Sequence, residues 1–270
     1  MASVTTEAVT LNTGTEMPVL GLGTWQLAGD DAVEGARHAL EIGYRLIDTA
    51  DDYYNQHELG EGLRASPVER DEVFVVSKVE EDEDSYQGTR QRVADLGVDR
   101  LDMCLIHRSP PSGAGEELWE GLIRARREGL TREIGVSNYT SEQVDRLIEA
   151  TGETPVVNQI EWSPFGHSQE VLDHARERGV VIQAYSPLTR MKRLDDDTLA
   201  EIGAAHGKTP AQVLLRWDIQ VGTATVPKAG SARHREENLA IFDFELDDGE
   251  LRRLSALNEH YSSLASLPYV

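Results

Sequence analysis

Eight short apolar segments alternate with amphipathic helical stretches along nearly the whole chain, and this alternation constrains the fold more than any other feature. The segments are 19–23 (VLGLG), 44–48 (YRLID), 73–78 (VFVVSK), 101–107 (LDMCLIH), 132–136 (REIGV), 156–160 (VVNQI), 180–185 (VVIQAY) and 223–227 (TATVP). Strands joined by helices predict a parallel sheet, and eight such units predict an α/β (β/α)8 TIM barrel whose chemistry lies at the carboxyl ends of the strands. Between the strands, Val33, Ala36 and Leu40 share one helical face, as do Val144, Leu147 and Ile148. Thr140 with Gln143, and Thr209 with Pro210 and Gln212, have the spacing of capping boxes at helix starts. Residues 9–20 (VTLNTGTEMPVL) predict a β-hairpin turning over Asn12 to Glu16 and capping the opposite end of the barrel, and 234–257 predict extra C-terminal helices.

The 270 residues contain no linker or low-complexity tract, so 1–270 is expected to be a single barrel domain. The first 14 residues hold neither a basic segment nor an apolar run, which argues against a secretory signal. No window approaches a membrane span, and a soluble cytoplasmic protein is the expectation, as a monomer or weak homo-oligomer. A net charge of −22 argues against nucleic acid as a partner, because phosphate binding needs clustered basic residues. The chain has four lysines (Lys78, Lys192, Lys208, Lys228) against 22 arginines, with acidic runs at 80–84 and 194–197. This pattern resembles proteins of high-salt cytoplasm, and a halophilic protein that folds and works better in molar salt is expected. The lone cysteine, Cys104, lies in an apolar segment and is expected to be a small buried hydrophobe.

Four polar residues occupy the places where barrel strands open into an active face. Asp48 and Lys78 end apolar segments, His107 ends another, and Tyr53 follows Asp48 by five residues at the start of a predicted helix. Reducing a carbonyl requires a hydride donor, a proton donor for the developing alkoxide and a group that polarises the oxygen. Tyrosine is a weak acid, with a pKa of about 10, and a neighbouring ammonium favours its phenolate. A carboxylate can hold that ammonium in place. Asp48, Tyr53 and Lys78 therefore make chemical sense as one unit, with His107 orienting the substrate oxygen.

In that order the four residues resemble the catalytic tetrad of the aldo-keto reductases. The resemblance runs through 19–25 (VLGLGTW), 47–55 (IDTADDYYN), 134–139 (IGVSNY), 158–164 (NQIEWSP), 184–188 (AYSPL) and 207–217 (GKTPAQVLLRW), all in the order of that family. It is a small prokaryotic-type pattern, similar to diketogluconate and aldehyde reductases. A Rossmann fingerprint is absent, since residues 21–26 lack the third glycine. The resemblance implies a nicotinamide cofactor, NADPH with NADH left open, and a small-molecule carbonyl substrate. It also implies that Ser137, Asn138 and Gln159 hold the carboxamide, that Tyr185 stacks on the ring, and that Gly23, Thr24, Ser186 and Leu188 line the cofactor path.

Three departures from the family pattern bear on the expectations. At the adenosine end Lys228, Glu237 and Asn238 are in register, but His234 stands at the usual phosphate-gripping arginine, with Arg233 and Arg235 beside it as substitutes. At the substrate end Glu80 and Arg108 replace two tryptophans, leaving Trp25, with Tyr54, on that wall. Two charges there predict a polar pocket for a small hydroxylated or anionic carbonyl compound, with Arg108 as the anion contact or bridged to Glu80. The stretch from Tyr86 to His107 is about one helical turn short, so the third helix is expected to be short. Two other classes compete: a cofactor-binding regulatory barrel without physiological turnover, and a metal-dependent barrel hydrolase. No metal is expected, because of the eight histidines only His107 falls at a strand end.

Overall fold

Every apolar segment of the alternating pattern is a strand in the computed structural model, which describes residues 7–264 and 267–269. Part of the N-terminal stretch judged against a signal, and residues 265, 266 and 270 of the tail, lie outside the described residues. A hairpin of β1 (Ala8–Thr10) and β2 (Glu16–Pro18) comes first, its strands antiparallel. The βα units follow as β3 (Leu22–Gly23), α1 (Asp30–Ile42), β4 (Leu46–Asp48), α2 (Gln56–Ala65), β5 (Phe74–Val79) and α3 (Ser85–Leu96). Next come β6 (Leu101–Ile106), α4 (Glu116–Arg127), β7 (Thr131–Ser137), α5 (Ser141–Thr151), β8 (Val157–Glu161) and α6 (Gln169–Glu177). The chain then forms β9 (Val181–Tyr185), α7 (Asp197–His206), α8 (Pro210–Gln220), β10 (Ala224–Thr225), α9 (Ala232–Leu239) and α10 (Asp248–Ser255).

Strands β3 to β10 pair in sequence order, all parallel, and backbone bridges from Leu20 to Thr225 and from Gly23 to Lys228 join the two outer strands. Those bridges close the barrel. Gly23 is required there, because a Cβ would sit 2.4 Å from the Val226 carbonyl oxygen.

The period of two along each strand divides the apolar residues into two cores. Leu46, Phe74, Val76, Met103, Leu105 and Val157 face inward, where Leu11 and Met17 of the hairpin plug the amino-terminal end. The alternate residues, among them Ile47, Val75, Cys104, Ile134, Ile160 and Ile182, pack outward under the helices. Burial pushes the Cys104 thiol up to about 12, so it behaves as the expected hydrophobe. The hairpin is pinned by Thr13, whose hydroxyl donates to Glu133 Oε1 over 2.8 Å.

Local chemistry sets the helix starts. Both anticipated capping boxes form, at Thr140–Gln143 and at Thr209–Gln212 with Pro210 at the first helical position. Helix α3 is not short within this chain: Asp84 caps its start, left-handed Gly97 ends it, and its 12 residues equal those of α4. Among the described residues no helix is long and apolar enough to cross a membrane.

Candidate active site

Because alternate strand residues face the same side, the last inward positions of successive strands form one ring at the carboxyl end of the barrel. Asp48 stands there on β4, Lys78 on β5, His107 just past β6, Ser137 on β7, Gln159 on β8, Tyr185 on β9 and Lys228 just past β10. Residues spread over 181 positions of sequence are thereby brought to one mouth.

Lys78 is fully buried, and its Nζ donates to Asp48 Oδ1 and to the Thr49 carbonyl, both over 2.8 Å. Gln159 Nε2 donates to Asp48 Oδ2 over 2.7 Å, so each carboxylate oxygen is occupied. Burial works against the Lys78 ammonium, but Asp48 and then Tyr53 outweigh it and hold its pKa above the ordinary lysine value. Tyr53 does not open the following helix; it ends a separate 3-10 turn, Asp51–Tyr53, before α2. Lys78 Nζ lies 5.1 Å from the centre of the Tyr53 ring. The ammonium draws the phenol down, as its position predicts, yet burial is the larger influence and the Tyr53 pKa is raised.

His107 meets the Tyr53 ring edge-on, with centres 6.1 Å apart. Its Nδ1 is 2.8 Å from Glu80 Oε1 and 3.7 Å from Asp52 Oδ1. Glu80 therefore pairs with His107 and does not bridge to Arg108. Burial raises the Glu80 carboxyl, but His107, Arg108 and Arg92 together hold it below the usual carboxylate range. Arg108 is exposed and forms no ion pair among the described residues. Asp52, Glu80 and His107 bring ligand atoms within 4.8 Å of one another, and are the one such group among the described residues. The sequence does not foretell that meeting, although Glu80 shares strand parity with Lys78, a signal that was available.

The four residues assigned by resemblance to the carboxamide and the ring are linked to one another. Tyr185 Oη donates to Asn138 Oδ1 over 2.7 Å, and Asn138 Nδ2 donates to Ser137 Oγ and the His107 carbonyl, both over 3.0 Å. Ser137 donates in turn to the Gln159 carbonyl over 2.8 Å. Burial pushes the Tyr185 phenol up, which keeps it a donor. Asn138 and Ser186 both hold left-handed backbone, at φ 62 and 48°, an arrangement that costs a non-glycine residue free energy and is stored at the mouth. Gln183, absent from the sequence expectations, accepts a 2.7 Å bond from Gln159. Thr24 donates to the Asp48 carbonyl over 2.8 Å, while buried Asn55 donates to the Thr24 and Leu27 carbonyls and ties the loop after β4 to that after β3.

The other end is looser. Lys228, Arg233 and His234 are exposed, Leu188 and Glu237 half-buried. Arg235 is not available as a phosphate fork: it is 3% exposed and donates to the Ala229 carbonyl over 3.1 Å and to His38 Nδ1 over 3.2 Å. Helix periodicity turns it inward between its outward neighbours. Asn238 is buried, and its Nδ2 has no hydrogen-bond partner. Trp25 is half-buried under the Arg190 guanidinium, 4.4 Å from its ring centre, whereas Tyr54 projects outward, 87% exposed.

With this geometry in place, comparison with known proteins is informative. The Aldo/keto reductase family model matches residues 19–259. An aldo-keto reductase of Mycobacterium tuberculosis is 40% identical over 257 residues, 93% of this chain and 91% of the relative. The 2,5-diketo-D-gluconic acid reductase B of a Corynebacterium species is 39% identical over 258 residues, 92% of each chain. The crystal structure of a Bombyx mori aldo-keto reductase in complex with NADP superimposes with a TM-score of 0.90 at 29% identity, covering 97% of this chain and 95% of that one.

Proposed function

The chain belongs to the aldo-keto reductase family, and from that premise we propose that it reduces an aldehyde or ketone to an alcohol with NADPH, Tyr53 serving as general acid. The observation that carries this reading is the Lys78 ammonium, buried between Asp48 and Tyr53. When bound, the cofactor supplies a hydride to the carbonyl carbon. Tyr53 gives its phenolic proton to the oxygen, and Lys78 stabilises the phenolate left behind until solvent restores the proton. Asp48 keeps Lys78 charged and aimed; His107 orients the substrate oxygen.

The residues present suit such a cofactor. Asn238 offers a buried amide nitrogen still without a partner, and Lys228 an exposed ammonium without an ion pair among the described residues. Ser137, Asn138 and Gln159 would hold the carboxamide and Tyr185 the ring face, Gly23, Thr24, Ser186 and Leu188 would line the path, and Lys228, Arg233, His234, Glu237 and Asn238 would take the adenosine end. On the substrate side, Trp25 supplies an aromatic wall and Arg108 a free guanidinium. A small hydroxylated or anionic carbonyl compound suits that pair, in keeping with the sugar-acid substrate in the Corynebacterium relative's name.

The test follows nicotinamide absorbance with NADPH and NADH in parallel, against sugar acids, methylglyoxal and aromatic aldehydes, with Tyr53→Phe as control. Turnover of the small polar compounds that vanishes in the control is expected. Cofactor binding without turnover anywhere in the panel would overturn the reading.

A further inference from the structure

Glu80 stands where the family pattern leads one to expect an aromatic wall, and its carboxylate is turned toward His107. Its backbone N–H donates to Glu83 Oε1 over 2.7 Å, and Glu83 is in turn held by Arg92, so the Glu80 main chain is fixed as well. We infer that Glu80 is a positioning residue, which fixes the proton of His107 on Nδ1 so that Nε2 donates to a substrate carbonyl oxygen only while the ring is an imidazolium.

The argument is one of proton count, and it rests on the carbonyl reduction proposed above. An ionised carboxylate has lone pairs and no proton, so a contact of 2.8 Å between Glu80 Oε1 and His107 Nδ1 places the proton on nitrogen. A neutral imidazole carries a single N–H. With that hydrogen committed to Glu80, neutral His107 presents a bare lone pair at Nε2, which repels a carbonyl oxygen and accepts from a hydroxyl. Only the charged ring has an N–H at both nitrogens. Around the ring, Glu80 faces Nδ1 from just past β5 and Asp52 from the 3-10 turn, Arg108 follows in the chain, and Tyr53 lies edge-on with Lys78 behind it. From just past β7 comes the neutral Asn138 amide, which binds the His107 carbonyl and leaves the ring free. Nε2 itself has no hydrogen-bond partner among the described residues.

Reduction by the wild-type chain should therefore follow the charge of one histidine. With NADPH saturating and methylglyoxal as probe, kcat/KM is expected to fall about tenfold per pH unit once the imidazolium gives up its proton. In Glu80→Ala combined with Asp52→Asn no carboxylate holds Nδ1, the neutral ring can carry its proton on Nε2, and the fall should flatten. Glu80→Gln keeps the side-chain volume should the double variant not fold, and its amide can donate to Nδ1 to the same effect. Nitrogen NMR of the imidazole in the full chain without cofactor gives a second readout: the Nδ1–H tautomer above the ring's titration in the wild type, and a shift toward Nε2–H in the variants. A wild-type ring with its neutral proton on Nε2, or a pH profile identical with and without Glu80, overturns the inference. Failure of turnover at every pH would instead defeat the reductase reading, and the nitrogen spectrum would still decide the tautomer.

Discussion

The two ends of the proposed cofactor path are built on opposite physical principles. At the tetrad end Lys78 and Asp48 are out of water, and every donor or acceptor of the pair meets a partner: the Thr49 carbonyl, Gln159 and the Tyr53 ring. At the adenosine end Lys228, Arg233 and His234 stand in solvent, and the closest contact among them and the acids is Arg233 to Glu237 at 3.9 Å. Buried charges must be satisfied by geometry because no water can do it, so one substitution there breaks several contacts together. Exposed charges are screened and individually weak, so their identities can change without harm to the fold. That contrast predicts that substitutions at the tetrad end cost far more than substitutions at the adenosine end.

The sharpest way to break the contrast is Tyr53→Phe, which should lower kcat by about 10²–10⁴-fold, the usual worth of a positioned acid, while fluorescence titration shows unchanged cofactor affinity. An equal loss of binding would mean that Tyr53 acts through structure. Lys78→Met should come next, because it strands the Asp48 carboxylate in the interior; about 3–5 kcal/mol of stability should be lost in a denaturant titration.

The pH dependence of that same pair has a definite sign. The Lys78 pKa is raised in the fold, so its contribution is fully present below the unfolded lysine value of about 10.4 and is lost as pH rises through the folded value. The raised Tyr53 phenol acts in the same direction. Alkaline unfolding should therefore begin above about pH 10, earlier in Lys78→Met.

Smaller effects belong to the exposed end. Lys228→Ala should weaken NADPH by several-fold and leave NADH unchanged, and His234→Arg should do the reverse for NADPH, both without a shift in thermal midpoint. Equal effects on the two cofactors would show that the 2′-phosphate lies elsewhere. Molar salt should weaken the NADPH preference slightly while stabilising a chain of net charge −22; full stability at low salt would contradict the second half.

Much of this was legible in the residues themselves. Short apolar runs alternating with helical stretches located all eight barrel strands, and hydroxyl residues three positions before glutamine located two helix starts. The separation of Tyr53 from α2 into its own 3-10 turn was not legible, nor was the full length of α3, because helix boundaries depend on how loops pack. Arg235 shows the same limit: its sequence neighbours mark it as a phosphate ligand, and only the face α9 presents to α1 turns it to His38. Gln183 escaped notice as an ordinary strand residue until the barrel set it beside Gln159.

The sequence by itself determined the barrel, the order of its strands and which polar residues reach the mouth, since these follow from local alternation and from side-chain parity. The tertiary structure alone decided who meets whom across that mouth: Glu80 with His107 instead of Arg108, Gln159 with Asp48, Tyr185 with Asn138. Partnerships of that kind depend on barrel closure and on the paths of the loops, which bring residues up to 111 positions apart to within 2.8 Å, and no local pattern encodes such a distance.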